Sequence, residues 1–281
     1  MQTPKHAKMA QSIIHAHGLF RSLAPGERKQ TVLDATFGTS ASLVRFTGPD
    51  PLDSRDLRVF QGVVALSTQG RVDVKSMMSA AIAIRPQLRL TGQAATSKVI
   101  ATTFSLGTLA ETAGFAKDCG FNYRQMTESL LRLSKVEVAV ERPGFEGSFH
   151  LIAERGIESR TGRISIALNP LSTEAILQKG GFVSTRMDEV HRLKSGVARL
   201  LHHRLHWINQ GVENSVGLQR LCSYAYGDGA ASSAAAQRKR QRAVQDALKE
   251  LPTIGWQVDE PSPGMFDIRR PRKPVSNSLR H

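Results

Sequence analysis

Cysteine is scarce in this chain, with two in 281 residues. Cys222 joins Leu218 and Leu221 on an apolar helical face and Cys119 stands beside Gly120 in a turn, so neither spacing suggests a disulfide framework or a metal knot. Long apolar runs are missing too, because charges or histidines interrupt each one, and nothing has the length to span a bilayer. His15, His17 and Gly18 break the amino-terminal stretch where a secretory apolar region would lie, so a cytosolic protein is expected. No Gly-x-x-x-x-Gly-Lys-Ser/Thr loop is present to cradle phosphates, which argues against an intrinsic ATPase; neither cofactor nor metal is expected.

What is plentiful is positive charge. The formal net charge is +14 and the pI about 10.4, far beyond what solubility requires, so a polyanionic partner is implied, nucleic acid first. From residue 191 onward fifteen Lys and Arg oppose seven Asp and Glu, so +8 of that excess lies in the final third. The length suits two domains of ordinary size, and 40% hydrophobic residues suffice for a core in each.

Within that final third a basic helix runs from Gln237 to Leu251. Val244, Ala247, Leu248 and Leu251 recur at i, i+3, i+4 and i+7, an apolar stripe suited to a small core. Arg238, Arg242, Gln245 and Lys249 fall on the opposite side, with Lys239 and Arg240 beside them. Arg pairs bidentately with guanine, Gln with adenine and Lys with phosphate, so this ridge has major-groove chemistry; periodicity alone equally describes a solvated basic face. The hairpin that follows favours DNA. Trp256-Gln257-Val258 and Phe266-Asp267-Ile268 alternate around Pro261-Ser262-Pro263-Gly264, and Arg269, Arg270, Arg272 and Lys273 extend from the second strand as a wing with cations at its base.

The same order occurs earlier. After a basic arm (1–30), strands are expected at Val32 to Phe37 and Leu43 to Phe46, and a helix from Asp53 to Gly70 with Leu57, Phe60, Val63 and Val64 inward. Arg85 to Leu90 reads as extended. A short helix spans Leu106 to Gly114; Asn122 caps the next, with Gln125 completing a capping box and Tyr123, Met126, Leu130 and Leu133 facing the core. Arg124, Thr127 and Glu128 point outward, and Arg124, Gln125 and Thr127 are the candidate DNA contacts of this helix. Val136, Val138 and Val140 begin a first wing that turns at Pro143-Gly144 and Gly147 into Ser148 to Ala153; Ile164, Ile166 and Leu168 supply a further strand. Helices around Val197 to Ile208 and Leu218 to Cys222 then precede the basic helix. The expected fold is therefore α+β, two tandem winged-helix domains at 31–180 and 181–273, each with a helix-turn-helix and a hairpin wing, followed by a tail at 274–281. Linking two such modules raises the effective concentration at the second contact.

A collinear series of segments is similar to the replication initiator protein C family of IncQ-type plasmids. It comprises Leu19-Phe20-Arg21, Gly26-Glu27-Arg28-Lys29, Phe46-Thr47-Gly48-Pro49, Asp56-Leu57-Arg58 with Gln61-Gly62, and Ala167-Leu168-Asn169-Pro170-Leu171. It continues through Met187-Asp188-Glu189-Val190, Ala198-Arg199-Leu200-Leu201-His202, Arg238 to Arg242, Gly255-Trp256 and Asp267-Ile268-Arg269-Arg270-Pro271. No single piece is diagnostic, and the match is thinnest from about 71 to 150. The resemblance implies a non-enzymatic initiator that binds directly repeated iterons in double-stranded DNA, helps open adjacent AT-rich duplex and supports loading of a plasmid helicase and primase, with self-association allowed.

Two rivals remain at this point. A rolling-circle nickase would use His15-Ala16-His17 as a metal pair and Tyr123, Tyr224 or Tyr226 as nucleophile, but the pair lies in the arm without a third ligand. His202 and His206 have metal-sharing spacing with no third ligand indicated, and with His203 they read as packing or phosphate-contact residues. The other rival is a winged-helix transcriptional regulator, since the module implies DNA and not purpose.

Overall fold

The structure, a computed structural model, describes residues 4–40, 42–69, 100–117, 119–157, 162–179, 181–229 and 231–272. The extended segment expected at Arg85 to Leu90, together with Lys273 and the tail, lies outside these residues. β1 (His6–Ala10) and α1 (Gln11–His15) open the chain, followed by β2 (Leu33–Thr39), β3 (Ser42–Gly48) and α2 (Ser54–Gln69). Next come β4 (Ala101–Phe104), α3 (Leu106–Ala113), α4 (Gly120–Ser134), β5 (Glu137–Arg142), β6 (Phe145–His150), β7 (Ile152–Ile157) and β8 (Ile164–Leu168). α5 (Pro170–Ile176), β9 (Phe182–Arg186) and α6 (Met187–Arg192) lead into α7 (Gly196–Leu205), β10 (Glu213–Gly217), α8 (Leu218–Tyr226), α9 (Ala234–Leu248), β11 (Gln257–Ser262) and β12 (Met265–Arg269).

The first unit is assembled around α2. Leu57, Phe60, Val63 and Val64 are fully buried as their spacing requires, and Val59, Ala65, Leu66 and Gln61 are buried as well, so this helix is covered on nearly every side. It packs on α3, α4 and β1. Gly62 permits the close approach of α3, because a Cβ there would lie 3.0 Å from Leu109 Cδ1 and 3.1 Å from the Ala113 Cβ. Asp56 at the start of α2 is wholly buried and takes Arg132 Nη2 of α4 at 2.8 Å, Arg28 Nη1 at 3.1 Å and the Asp53 backbone N–H at 2.9 Å. One carboxylate thus ties the 3-10 turn at Glu27–Lys29, α2 and α4 together, and its burial is tolerable because every lone pair has a donor.

The first wing differs from expectation. β5 and β6 do form a hairpin about Pro143-Gly144, but Gly147 lies inside β6 opposite Val140, and the expected strand from Ser148 to Ala153 is divided between β6 and β7, which belong to different sheets. β5 also pairs with β3, giving a four-stranded sheet in the order β2-β3-β5-β6. The register explains the extension: Val44 opposes Val140 and Phe46 opposes Val138, placing four buried side chains on one face. β4, which precedes the helix-turn-helix, pairs with β8 and so joins a separate sheet, β4-β8-β7.

The amino-terminal arm is a correction. β1 pairs antiparallel with β9, and Ala7, Met9, Ile13, Ile14, Leu19 and Phe20 are buried in the first core. Its cations mask a strand: Lys8 is half-exposed between buried Ala7 and Met9, the alternation of a one-sided strand. A first buried cluster runs from Ala7 to Met187 and includes Leu200; a second runs from Leu193 to Ile268.

The second unit has the winged-helix order helix, strand, helix, helix, strand, strand. β12 sits between β10 and β11, with Val216 opposite Phe266 and Val258 opposite Ile268. β10 escapes a sequence reading because Glu-Asn-Ser-Val-Gly places only Val216 inward. Ser195 caps α7 and Ser233 caps α9, each hydroxyl accepting a backbone N–H three residues on, an arrangement worth about 1 kcal/mol per helix. Among the described residues no helix is long and apolar enough to cross a membrane.

Candidate nucleic-acid interface

The basic helix is α9, begun by Ser233 one turn before Gln237 and ended at Leu248; Leu251 opens a short 3-10 turn instead of closing the helix. Val244, Ala247, Leu248 and Leu251 are buried as their stripe predicts. Arg238, Lys239, Arg242 and Lys249 are exposed, and Gln245 is half-buried beside them. Lys249 Nζ is held 2.8 Å from Asp246 Oδ1. Arg240 is turned back onto its own unit: Nη1 donates to the Gly229 carbonyl at 2.9 Å and the guanidinium lies 5.1 Å from the Tyr226 ring. It braces α9 against the end of α8, so Arg240 must leave that carbonyl before it can reach DNA.

The second wing is not basic along its length. Its turn is Pro263-Gly264, and the Gly264 N–H donates to Glu260 Oε1 at 2.8 Å. Asp259 and Glu260 are exposed on its outer strand, while Asp267 accepts from the Ser215 hydroxyl. Cations remain only at the base. Arg269 is exposed and faces Glu213 at 3.2 Å, and Arg272 is exposed beside Gly211. Arg270 points inward, which corrects its reading as a phosphate contact: Nη1 donates to the His206 carbonyl at 3.4 Å, Nη2 to the Ser184 carbonyl at 3.3 Å, and the guanidinium stands 6.0 Å from the Trp256 ring. Burial pulls its pKa below the ordinary arginine value.

The first helix-turn-helix is α3 and α4. Ser105 caps α3 through the Thr108 N–H, and Gly114 ends it at φ 74°, where a Cβ would meet His191 Cδ2 at 2.5 Å. Arg58 of α2 clamps the corner, donating Nε to the Ala113 carbonyl at 3.1 Å and Nη2 to the Gly114 carbonyl at 2.6 Å, over the Phe115 ring at 4.0 Å. Burial lowers the Arg58 pKa to about 9. α4 begins at Gly120 with Cys119 in the cap position, three residues before the expected cap; Asn122 is inside the helix and donates to the Ala116 carbonyl. Gln125 consequently closes no capping box.

The three candidate readers of α4 are all engaged locally. Arg124 Nε donates to Glu128 Oε1 at 3.1 Å, Gln125 Nε2 to Glu128 Oε2 at 3.1 Å, and the Thr127 hydroxyl to the Tyr123 carbonyl at 3.0 Å. Arg124 is well exposed, and Phe121, 64% exposed, projects from the first turn.

The histidines of α7 are buried, which removes the phosphate-contact reading. A candidate third ligand was also missed: Glu189 of α6 lies with His202 and His206, one ligand-capable atom of each within 4.8 Å of the others. Glu189 comes from a preceding helix, so spacing within α7 could not reveal it. His202 Nε2 is 2.9 Å from Glu189 Oε2, and burial pushes the pKa of His206 well below that of free histidine. His15 and His17 are elsewhere, His15 stacked on Phe37 and His17 between Asp228 and Arg220. Tyr224 is flanked by the Arg204 and Arg220 guanidinium groups at 5.2 and 5.3 Å.

The family model described as replication protein C (RepC) matches residues 2–272. A crystal structure of domains 2 and 3 of RctB is similar, at a TM-score of 0.54 and 11% identity over 90% of this chain and 95% of that one. So is the Pi initiator protein crystallised with iteron DNA, at a TM-score of 0.53 and 12% identity over 97% of this chain and all of that one. At such identities the likeness establishes the tandem winged-helix fold. A search of curated proteins finds no match.

Proposed function

The chain belongs to the replication protein C family, and from that premise we propose that it is a sequence-specific initiator that binds directly repeated iterons in double-stranded origin DNA. The observation that carries the reading is the free face of α9, where Arg238, Lys239 and Arg242 are exposed opposite the buried Val244, Ala247 and Leu248. A helix with its apolar stripe in a small core and long donors outward has the geometry to enter a major groove, each bidentate Arg–guanine pair discriminating by about 1–3 kcal/mol. Arg269 and Arg272 lie at the base of the wing and fit phosphate contacts beside that groove, and Lys273, next in sequence, adds a further cation. Arg124, Gln125 and Thr127 form a second, weaker reading surface.

Binding several repeats bends or strains DNA at a cost on the order of a few kcal/mol, which phosphate contacts offset; AT-rich duplex nearby is where such strain opens base pairs most cheaply. The chain then acts without chemistry of its own, handing opened DNA to a separate helicase and primase in the cytoplasm. Selection of bound duplexes from a random pool tests the reading. Recovery of a direct repeat, with loss of origin-dependent replication when the gene is deleted, is the expected outcome; an inverted repeat with replication intact assigns the protein to transcriptional regulation.

A further inference from the structure

The junction between the two units holds a group of side chains that DNA binding does not use. Glu189 of α6, His202 of α7 and His206 at the C-cap of α7 are all buried, and their ligand-capable atoms lie within 4.8 Å of one another. The two histidines are one helical turn apart, so their rings fall on the same side of α7; the ring centroids are 4.4 Å apart, edge to face. His206 Nδ1 engages the His202 backbone carbonyl, which fixes the tautomer that leaves a lone pair on Nε2. That Nε2 is buried and has no hydrogen-bond partner among the described residues. His202 Nε2 lies 2.9 Å from Glu189 Oε2, a hydrogen bond that must open by a few tenths of an ångström to seat both atoms as neighbours around a tetrahedral cation with bonds of about 2.0–2.2 Å.

We propose that Glu189, His202 and His206 form a structural site for a divalent transition metal, zinc or a chemically similar ion, that pins the two units together. Two imidazoles and a carboxylate are a borderline-hard donor set that suits Zn²⁺ or Co²⁺ and suits Ca²⁺ or Mg²⁺ poorly. The fourth position has a route to solvent, because His206 also lines a surface cavity with Trp207, Asn209, Gln210 and Ser184. The Arg270 guanidinium borders the same cavity and opposes a cation there, so the Glu189 charge is essential to the site. Met187, two residues before Glu189, belongs to the first buried cluster, and α7 lies on the boundary, with Leu200 in the first cluster and Leu201 and Leu205 in the second. The metal would therefore cross the boundary between the reading units and set the angle at which they meet DNA.

Full-length protein stripped with a chelator is titrated with Co²⁺ and then Zn²⁺. The expected result is one equivalent of Co²⁺ with the visible absorption of a tetrahedral site, displaced by Zn²⁺, and an unfolding temperature that rises with Zn²⁺ and falls back on chelation. Glu189→Gln keeps the size of the side chain and a hydrogen bond to His202; it is expected to fold with an unchanged circular dichroism spectrum and to lose roughly a hundred-fold or more in Co²⁺ affinity. A His15→Asn, His17→Asn double variant should bind as the parent does. A parent protein with no tetrahedral band and a melting temperature indifferent to Zn²⁺ overturns the proposal, and so does a band that survives in Glu189→Gln or disappears in the double variant.

Discussion

The helices that follow the two helix-turn-helix corners share a place in their units and little else. α9 carries Arg238, Lys239, Arg240 and Arg242 against the single acid Asp246, and three of those cations, Arg238, Lys239 and Arg242, are exposed. α4 carries Arg124 and Arg132 against Glu128, and both arginines are spoken for, Arg132 by buried Asp56 and Arg124 by Glu128. The sheets behind them differ in the same sense. β11 and β12 stand with β10 as a compact three-stranded wing, while β5 and β6 are absorbed into a four-stranded sheet. A shared element order does not therefore imply equal shares of the binding energy: one unit keeps its donors free, and the other uses them to hold itself together.

The sharpest break in that comparison is at Asp56. Asp56→Ala leaves Arg28 and Arg132 in place without their buried counter-charge and should cost about 3–5 kcal/mol of folding stability, read from chemical denaturation. Asp246→Ala in α9 removes an exposed pair with Lys249 and an attraction to Arg242, and should leave the denaturation midpoint almost unchanged. Equal losses would mean that ion pairing does not distinguish the two units.

The next test is direct. Arg238→Ala or Arg242→Ala should each weaken specific binding by about 1–3 kcal/mol with altered base preference, while Arg124→Ala should cost under about 1 kcal/mol because the arginine must first leave Glu128. Footprints and affinities measured on one selected site settle the ranking, and an Arg124 effect as large as that of Arg238 would make the two heads equivalent.

How much of this was legible beforehand follows the same division. α9 and its wing could be read because period 3.6 and period 2 patterns and a Pro-Gly turn are local signals, although the capping Ser233 sets the helix start a turn before the expected Gln237. The correct stripe on α4 could be read too, but not that Arg132 would turn to Asp56, 76 residues away in sequence. Alternation in Val136 to Val140 announces a strand and is silent on its partner, so the pairing with β3 was invisible. Positive charge concealed β1, whose Ala7 and Met9 alternate inward between His6 and Lys8. Arg270 misled for a similar reason: in a run of cations, only the positions of Ser184 and Trp256 reveal which one faces inward.

That inward turn makes a further contrast measurable. Lys239→Ala should flatten the dependence of log K on log salt by roughly one unit, as should Lys273→Ala if the residues after β12 reach phosphate. Arg270→Met should leave the slope unchanged and lower thermal stability instead, because the side chain bridges two backbone carbonyls within the protein. A slope that flattens equally in Arg270→Met would return that residue to the interface.

The smallest effect discriminates most finely, since it is expected to be a gain. Glu128 accepts from both Arg124 and Gln125, so it neutralises the outward cation of α4 and occupies its neighbour. Glu128→Gln removes the charge with little change in shape, frees the Arg124 guanidinium for phosphate or base, and removes one repulsive charge within a Debye length of roughly 8–10 Å of the backbone. Affinity should rise by a few-fold, under about 1 kcal/mol, with a slightly steeper salt slope. Asp246→Asn performs the equivalent change on α9, where Lys249 is released. Gains in both variants place both helices against DNA, whereas a gain confined to Asp246→Asn leaves α4 off the duplex and makes the first unit a scaffold for the second.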